Sequence, residues 1–320
     1  MPGEFELIAR HFTRPLQRAA AGQVALGVGD DCALLNPAPG MQLAVSCDML
    51  VEGRHFLSTV APARLGHKAL AVNLSDLAAC GAEPVAFTLA LPRADEAFVG
   101  PFVQGLFALA DVHGITLVGG DTTAGPLNIC ITVFGQVPVG QALLRSGAKA
   151  GDELWVSGTL GDARLALEAF RGSVALSGEA FEQVRRAMEQ PQPRVALGLA
   201  LRGVATSAID LSDGLLGDLG HLLRRSGVGA VVDVDALPRS AVLAATPATL
   251  QHECLLAGGD DYELLFTAPA AAHAAVRTAG AAAGVAVHCC GHIEALPGLR
   301  VVDAEGRTVA TPWRAFDHFA

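Results

Sequence analysis

Aspartate recurs in this sequence at one kind of address, directly after an apolar run and beside glycine or serine. The instances are Gly27-Val28-Gly29-Asp30-Asp31, Val45-Ser46-Cys47-Asp48, Asn73-Leu74-Ser75-Asp76, Val118-Gly119-Gly120-Asp121, Ile209-Asp210-Leu211-Ser212-Asp213 and Ala257-Gly258-Gly259-Asp260-Asp261. Asp and Gly are ordinary turn residues, and any one of these sites alone reads as a turn. Together they read differently, because turn aspartates normally have polar surroundings, whereas these adjoin apolar segments such as Thr116-Leu117-Val118. Packing such carboxylates together is strongly repulsive unless cations neutralise them. The carboxylates and the Ser46 and Ser212 hydroxyls are hard ligands, suited to Mg²⁺ or Ca²⁺ and not to zinc. Mg²⁺ takes one or two protein carboxylates and completes its octahedron with water and phosphate. Several separate aspartates therefore point to several magnesium ions around a polyphosphate, with the flanking glycines letting backbone N–H groups approach phosphate oxygens.

The charge balance narrows the chemistry further. The 320 residues carry 22 basic and 32 acidic side chains, a formal charge of −10. That sign repels nucleic acid and anionic membrane, so neither is an expected partner. Lys68 and Lys149 are the only lysines and neither follows a glycine, so there is no GxxxxGK[ST] phosphate loop. Kinase-type HRD and DFG motifs are absent too. A nucleotide bound here is held by some other architecture, with metal ions between protein and phosphate.

The elements that must position these residues alternate along the chain. Leu43–Cys47 reads as a short strand, and 62–80 and 94–113 as helices, the second with Phe98, Phe102, Leu106 and Ala110 at helical spacing. Leu127, Ile129, Ile131 and Val133 alternate as in a strand with one face on a core. Further helices are expected near 179–189, 194–204 and 214–225, and strands near 153–157, 205–209, 230–233 and 262–267. Most of the aspartate sites then fall at strand ends, where α/β folds open their binding clefts. The turn-rich SGAKAGD around Gly147 marks a domain boundary, giving domains 1–147 and 148–320 of an α/β (α+β) fold. No uncharged apolar stretch reaches the length of a membrane span, and the acidic N-terminal helical pattern is unlike a signal peptide. Seven cysteines without a CxxC pair fit a reduced, cytoplasmic setting.

GVGDDCALL, the SCD at 46–48, EGRHF, KALAVNLSDLAACGA, LVGGDTT, LLRSGAKAGDELWVSGTLGD, IDLSDGL and GGDDYELLF occur in this order. Together they resemble the thiamine-monophosphate kinase family of the aminoimidazole-ribonucleotide-synthetase-like ATP-binding superfamily, from Glu4 to Phe319. The resemblance implies a two-domain PurM-like fold whose N-terminal domain binds ATP and Mg²⁺ and forms a homodimer interface. The C-terminal domain is then expected to complete the nucleotide and substrate site. The implied reaction is ATP-dependent phosphorylation of thiamine monophosphate to thiamine diphosphate, with several Mg²⁺ ions. Carried over by position, Asp31, Ser46, Cys47, Asp48, Asp76, Asp121, Asp210 and Asp213 match metal-site residues. Gly120, Asp121, Arg145 and Ser212 match nucleotide contacts, and His55, Asp260 and Phe316 match positions that face the thiamine phosphate. Three departures stand out: Cys47 where threonine is common, Asp260 for a glutamate, and Phe316 for a tyrosine. Cys47 can still offer a metal its backbone carbonyl.

No catalytic side chain is expected, because an acceptor phosphate monoester, with its second pKa at about 6, is already anionic near neutral pH. Catalysis is then mainly positioning and charge neutralisation, with direct in-line transfer, and Arg145 is the best cationic candidate for a bidentate phosphate contact. His288-Cys289-Cys290-Gly291-His292 is too tightly spaced for one tetrahedral site and reads as a buried strand followed by a turn. Cys32, Cys80, Cys130 and Cys254 are expected in the core. A selenophosphate synthetase would need a reactive N-terminal Cys or selenocysteine near a lysine. A hydrogenase-maturation homologue would end in a reactive cysteine, and a calcium-binding module would carry DxDxDG loops; none of these is present.

Overall fold

The computed structural model describes residues 4–14, 22–92 and 95–313. The chain divides into two compact units, one built from residues up to Leu77 and Ala82–Gly140, the other from Ala78–Gly81 and residues from Gln141 on. Each is a mixed α/β body with its own sheet.

The first unit opens with α1 (Glu4–Leu7), which continues as a π-helical turn through Phe12, and a small antiparallel pair, β1 (Val24–Leu26) with β2 (Leu34–Leu35). β3 (Met41–Val51), α2 (Pro62–Ala79), β4 (Glu83–Leu91), α3 (Glu96–His113), β5 (Thr116–Thr122) and β6 (Asn128–Pro138) follow. The strands form a sheet of order β3-β6-β4-β5, with β5 parallel to β4 and the other pairs antiparallel. The alternation expected in β6 is present: Ile129, Ile131 and Val133 are buried, while Cys130 and Thr132 between them are half-buried. α3 begins where the Asp95 side chain accepts the Phe98 N–H at 3.0 Å and ends at Gly114 in the left-handed region. α2 and α3 touch backbone to backbone. A Cβ at Gly66 would lie 1.9 Å from the Phe102 carbonyl oxygen, and one at Gly105 would lie 1.8 Å from that of Ala63.

β3 is longer than its apolar stretch suggests, pairing with β6 from Met41–Pro138 to Val51–Asn128. Ser46 and Asp48 do not end it. They alternate with Val45, Cys47 and Met49, so the period of two sends the polar residues to one face and the apolar ones to the other.

The second unit contains β7 (Asp152–Ser157), α4 (Asp162–Phe170), α5 (Gly178–Glu189), α6 (Val195–Ala200), β8 (Ser207–Asp210) and α7 (Leu215–Ser226). It continues with β9 (Gly229–Asp233), α8 (Ala241–Ala244), α9 (Ala248–Ala257), β10 (Leu264–Pro269), α10 (His273–Ala282), β11 (Val287–Glu294) and β12 (Gly298–Val302). The sheet order is β12-β9-β11-β7-β10-β8, antiparallel except for β12 with β9. Leu154, Val156, Ile209, Leu219, Leu222 and Leu265 are among the side chains filling its core. Two expectations are corrected here. His288–His292 does not run into a turn: β11 continues to Glu294, with an irregularity at Cys289–Gly291 that places Cys290 in the core and Cys289 at the surface. Cys32 is exposed and not a core residue, because it lies in the loop between β1 and β2. Among the described residues, no helix is long and apolar enough to cross a membrane.

Candidate functional site

In the first unit, β3 and α2 bring their polar faces together. The Ser46 Oγ donates a hydrogen bond to Asp76 Oδ2, and Asn73 Oδ1 accepts the backbone N–H of Asp48 at 3.1 Å. Asn73 and Asp76 are three residues apart and so share a helix face. Cys47 points the other way, its Sγ 3.5 Å from that of Cys130, so only its main chain lies alongside Ser46 and Asp48. Burial, with the neighbouring Cys47 thiol, pushes the Cys130 thiol up to about 11. Strand-end placement describes Asp121 and Asp210. It does not describe Asp48, which lies within β3, Asp76, which lies within α2, or Asp260, which precedes β10. The apolar runs before Asp76 and Asp260 are buried helix segments, and the run around Asp48 extends past the carboxylate.

Asp31, Gly120 and Asp121 line one cavity of about 640 Å³, together with Asp30, Gly119 and Phe12. Gly120 is obligatory there: its φ is +148°, and a Cβ would lie 1.9 Å from the Leu89 carbonyl oxygen on the paired strand. The Asp31 N–H is taken by Asp30 Oδ1 at 2.9 Å. His55 does not line this cavity. It sits in the tight loop after β3, where its Nδ1 accepts the Val51 N–H and its carbonyl accepts from the buried Lys68 Nζ, each at 3.0 Å. An Nδ1 that accepts leaves the ring proton of the neutral imidazole on Nε2.

In the second unit, the loop between β8 and α7 is organised by a residue that the motif reading passed over. Asp218 Oδ2 accepts the backbone N–H groups of Ser212, Asp213 and Gly214, each at 3.1 Å. Burial, and next the charge of Asp213, push the Asp218 carboxyl up to about 7 against the pull of those three amides. Asp260 is drawn to the same loop, its N–H donating to the Ser212 carbonyl at 2.8 Å, while the Tyr262 N–H donates to the Leu211 carbonyl at 2.8 Å. Asp260 and Tyr262 both have positive φ, 62° and 50°, and the Tyr262 hydroxyl donates to Asp260 Oδ1 at 3.0 Å. Asp261 accepts the Gly161 N–H at 2.8 Å, and burial holds its carboxyl well above the usual range. Glu263 is buried against Arg194, whose Nε donates to Oε2 at 2.7 Å, and accepts the Ser157 hydroxyl. Arg145 is an exposed turn residue; it and Asp213 both act on the His221 ring, whose pKa is lowered first by burial and then by Arg224 and Arg145. Phe316 lies outside the described residues.

Among the described residues, no three His, Cys, Asp or Glu side chains converge into a ready-made metal cage. The donors come in ones and twos, all hard oxygen. That fits Mg²⁺, which fills the remaining positions with water and phosphate. Asn73, Lys68, Asp218 and Tyr262 were not foreseen. The i, i+3 spacing of Asn73 and Asp76 and the recurrence of Asp four residues after Gly214 were the signals available.

Residues 29–137 match the AIR synthase related protein N-terminal domain, and residues 149–304 match the corresponding C-terminal domain. A thiamine-monophosphate kinase of Salmonella typhimurium is 47% identical over 330 residues, spanning 99% of this chain and 98% of its own length. This chain belongs to the thiamine-monophosphate kinase family. It is an enzyme, and the family is a kinase family with a PurM-like fold. The crystal structure of a thiamine-monophosphate kinase from Stenotrophomonas maltophilia superposes with a TM-score of 0.87 at 45% identity, covering 96% of this chain and 98% of that one. A protein described as AaThiL, solved in complex with AMPPCP and TMP, superposes with a TM-score of 0.75 at 28% identity, covering 88% of each chain.

Proposed function

We propose that this family member transfers the γ-phosphoryl group of ATP to the phosphate of thiamine monophosphate, giving thiamine diphosphate and ADP. The observation that carries this reading is the 47% identity sustained over 99% of the chain with a thiamine-monophosphate kinase. The AaThiL complex with AMPPCP and TMP supports the same pair of ligands.

The acceptor oxygen needs no general base, since a phosphate monoester has its second pKa at about 6. The difficulty is bringing two polyanions together in line, and the protein's task is to position them. Gly120, without a side chain, admits a phosphate beside the backbone of the cavity that Asp31 and Asp121 also line. Arg145 and Ser212 serve the nucleotide, Arg145 through the planar fork of its guanidinium. His55, with its ring proton on Nε2, donates a hydrogen bond to the acceptor phosphate, and Asp260 and Phe316 hold the rest of that substrate. Asp31, Ser46, Asp48, Asp76, Asp121, Asp210 and Asp213, with the Cys47 carbonyl, hold several Mg²⁺ ions. Magnesium held by these residues would neutralise phosphate charge.

The working form is a homodimer paired through the first unit's sheet, and it operates in the cytoplasm with its cysteines reduced. The test is incubation of the purified protein with ATP, thiamine monophosphate and Mg²⁺, scoring thiamine diphosphate and ADP against a control without acceptor. Equimolar products that vanish with EDTA and return with excess Mg²⁺ are expected. ADP release without the diphosphate would sink the reading.

A further inference from the structure

The amides of Ser212, Asp213 and Gly214 form the concave backbone arrangement that in many proteins cradles an anion. Here the anion is the chain's own. Asp218, 3% exposed and four residues past Gly214, reaches back with one oxygen to all three N–H groups. The helix it belongs to, α7, has no side-chain cap at Gly214, and this carboxylate does not supply one: its three donors all lie before Leu215, in the loop itself. The rest of the loop is equally committed. The Ser212 carbonyl accepts the Asp260 N–H and the Leu211 N–H donates to the Glu263 carbonyl, both at 2.8 Å. Gly214 sits at φ +108°, with the Ala257 backbone 3.0 Å from where a Cβ would stand. What the loop leaves partly exposed are the side chains of Ser212 and Asp213, while Gly214 and Asp218 are buried.

We propose that Asp218 is a positioning residue for the nucleotide end of the reaction. By taking the three amides itself, it denies them to phosphate and fixes the Ser212 hydroxyl and the Asp213 carboxylate as the loop's contacts. The loop therefore meets the polyphosphate through a cation and a hydroxyl and not through a backbone anion nest. This rests on the proposal that Ser212 and Asp213 serve ATP and Mg²⁺.

Kinetics of Asp218→Asn provide the first test. The amide keeps the shape but cannot carry the negative charge on which the three donors converge. Half-saturating Mg²⁺ and KM for ATP should rise by about 10- to 100-fold, the usual cost of losing an outer partner of a metal ligand. KM for thiamine monophosphate should rise less than KM for ATP, since Asp218 holds Ser212 and Asp213 directly and reaches Asp260 only through the Ser212 carbonyl. Ser212→Ala and Asp213→Asn are run alongside. If both leave the ATP and Mg²⁺ dependence unchanged, the nucleotide reading of the loop fails and this inference with it. If they shift it and Asp218→Asn shifts only thermal stability, the reading stands and the positioning role is overturned. Amide hydrogen exchange in the wild-type protein supplies a measurement that needs no variant to fold. The 212–214 amides should already be protected without ligand and gain little with a non-hydrolysable ATP analogue and Mg²⁺. Amides that exchange freely and become protected only with nucleotide would show the nest open to phosphate, and overturn the proposal.

Discussion

Ser46 and Asp76 meet across β3 and α2 as hydroxyl and carboxylate, and the charge on Asp76 is what a cation there would use. Asp76→Asn keeps volume and a hydrogen-bonding oxygen, so the fold should survive while turnover falls by about 100-fold or more, the scale of losing one electrostatic partner of a transferring group. Steady-state rates at saturating Mg²⁺ with a matched circular-dichroism melt check this; near-normal turnover would remove Asp76 from the metal set. A different outcome is expected at Glu263, which is buried with Arg194 and touches no proposed ligand. Glu263→Gln strands a largely buried guanidinium, and breaking such a pair costs about 3–5 kcal/mol. The melting temperature should fall clearly, and the ATP and acceptor KM values of the folded fraction should not move. The recurrence of aspartate beside glycine and serine was legible from type and spacing alone. The partners of these aspartates were not: nothing local ties Asn73 to the Asp48 amide 25 residues away, and Asp218, though only four residues past Gly214, reads as an ordinary residue of α7.

Helices α2 and α3 show how an element's position depends on residues that do no chemistry. Gly66 faces the Phe102 carbonyl and Gly105 faces the Ala63 carbonyl, both far inside the distance a methyl group needs. Gly105→Ala must push the helices apart, and with them the face of α2 that carries Asn73 and Asp76. Overpacking of this kind costs about 1–3 kcal/mol or more, so a lowered melting temperature accompanied by weakened Mg²⁺ dependence is expected; an unchanged melt would mean the helices part freely. At the end of α3, burial and then the neighbouring His67 hold the His113 pKa below the usual histidine value. The folded state thus resists protonation there more than the unfolded chain does. Stability is full above about pH 6.5, the ordinary histidine pKa, and is lost as pH falls below it. Melts from pH 7.5 down to 5.5 should drop more steeply for the wild type than for His113→Gln, and parallel curves would discard the assignment. The helices were readable because their apolar periodicity is strong: α3 differs from its expected span only at the start, where Asp95 caps it. β3 was underestimated because polar residues inside a strand look like its end when only one face is buried, and the 194–204 helix ends early, as α6, because the chain turns after Leu201 through Gly203 at φ +72°.

At the scale of the whole molecule, β3 poses the remaining physical problem. It is an edge strand of eleven residues, and Leu43, Val45 and Met49 on its outer face are 46%, 55% and 54% exposed. Long apolar edges left open invite uncontrolled pairing, and proteins blunt them with charge, proline or cover. Among the described residues of this face, none of those three positions is charged or proline, so cover by a second copy is the solution the proposed homodimer supplies. A self-complementary pairing buries the same apolar patch on both copies, each residue of one against its complement on the other and the reverse. The overall charge of −10 makes the requirement sharper, because two such chains repel at long range and associate only through a buried apolar contact that outweighs it. Val45→Glu puts one unpaired charge per copy into that apolar contact and should convert the dimer to monomer in sedimentation at low micromolar concentration. Because Val45 alternates with Ser46 and points away from Asp76, a chain that stays folded but monomeric separates assembly from chemistry. Unchanged sedimentation of the variant would place the dimer contact elsewhere.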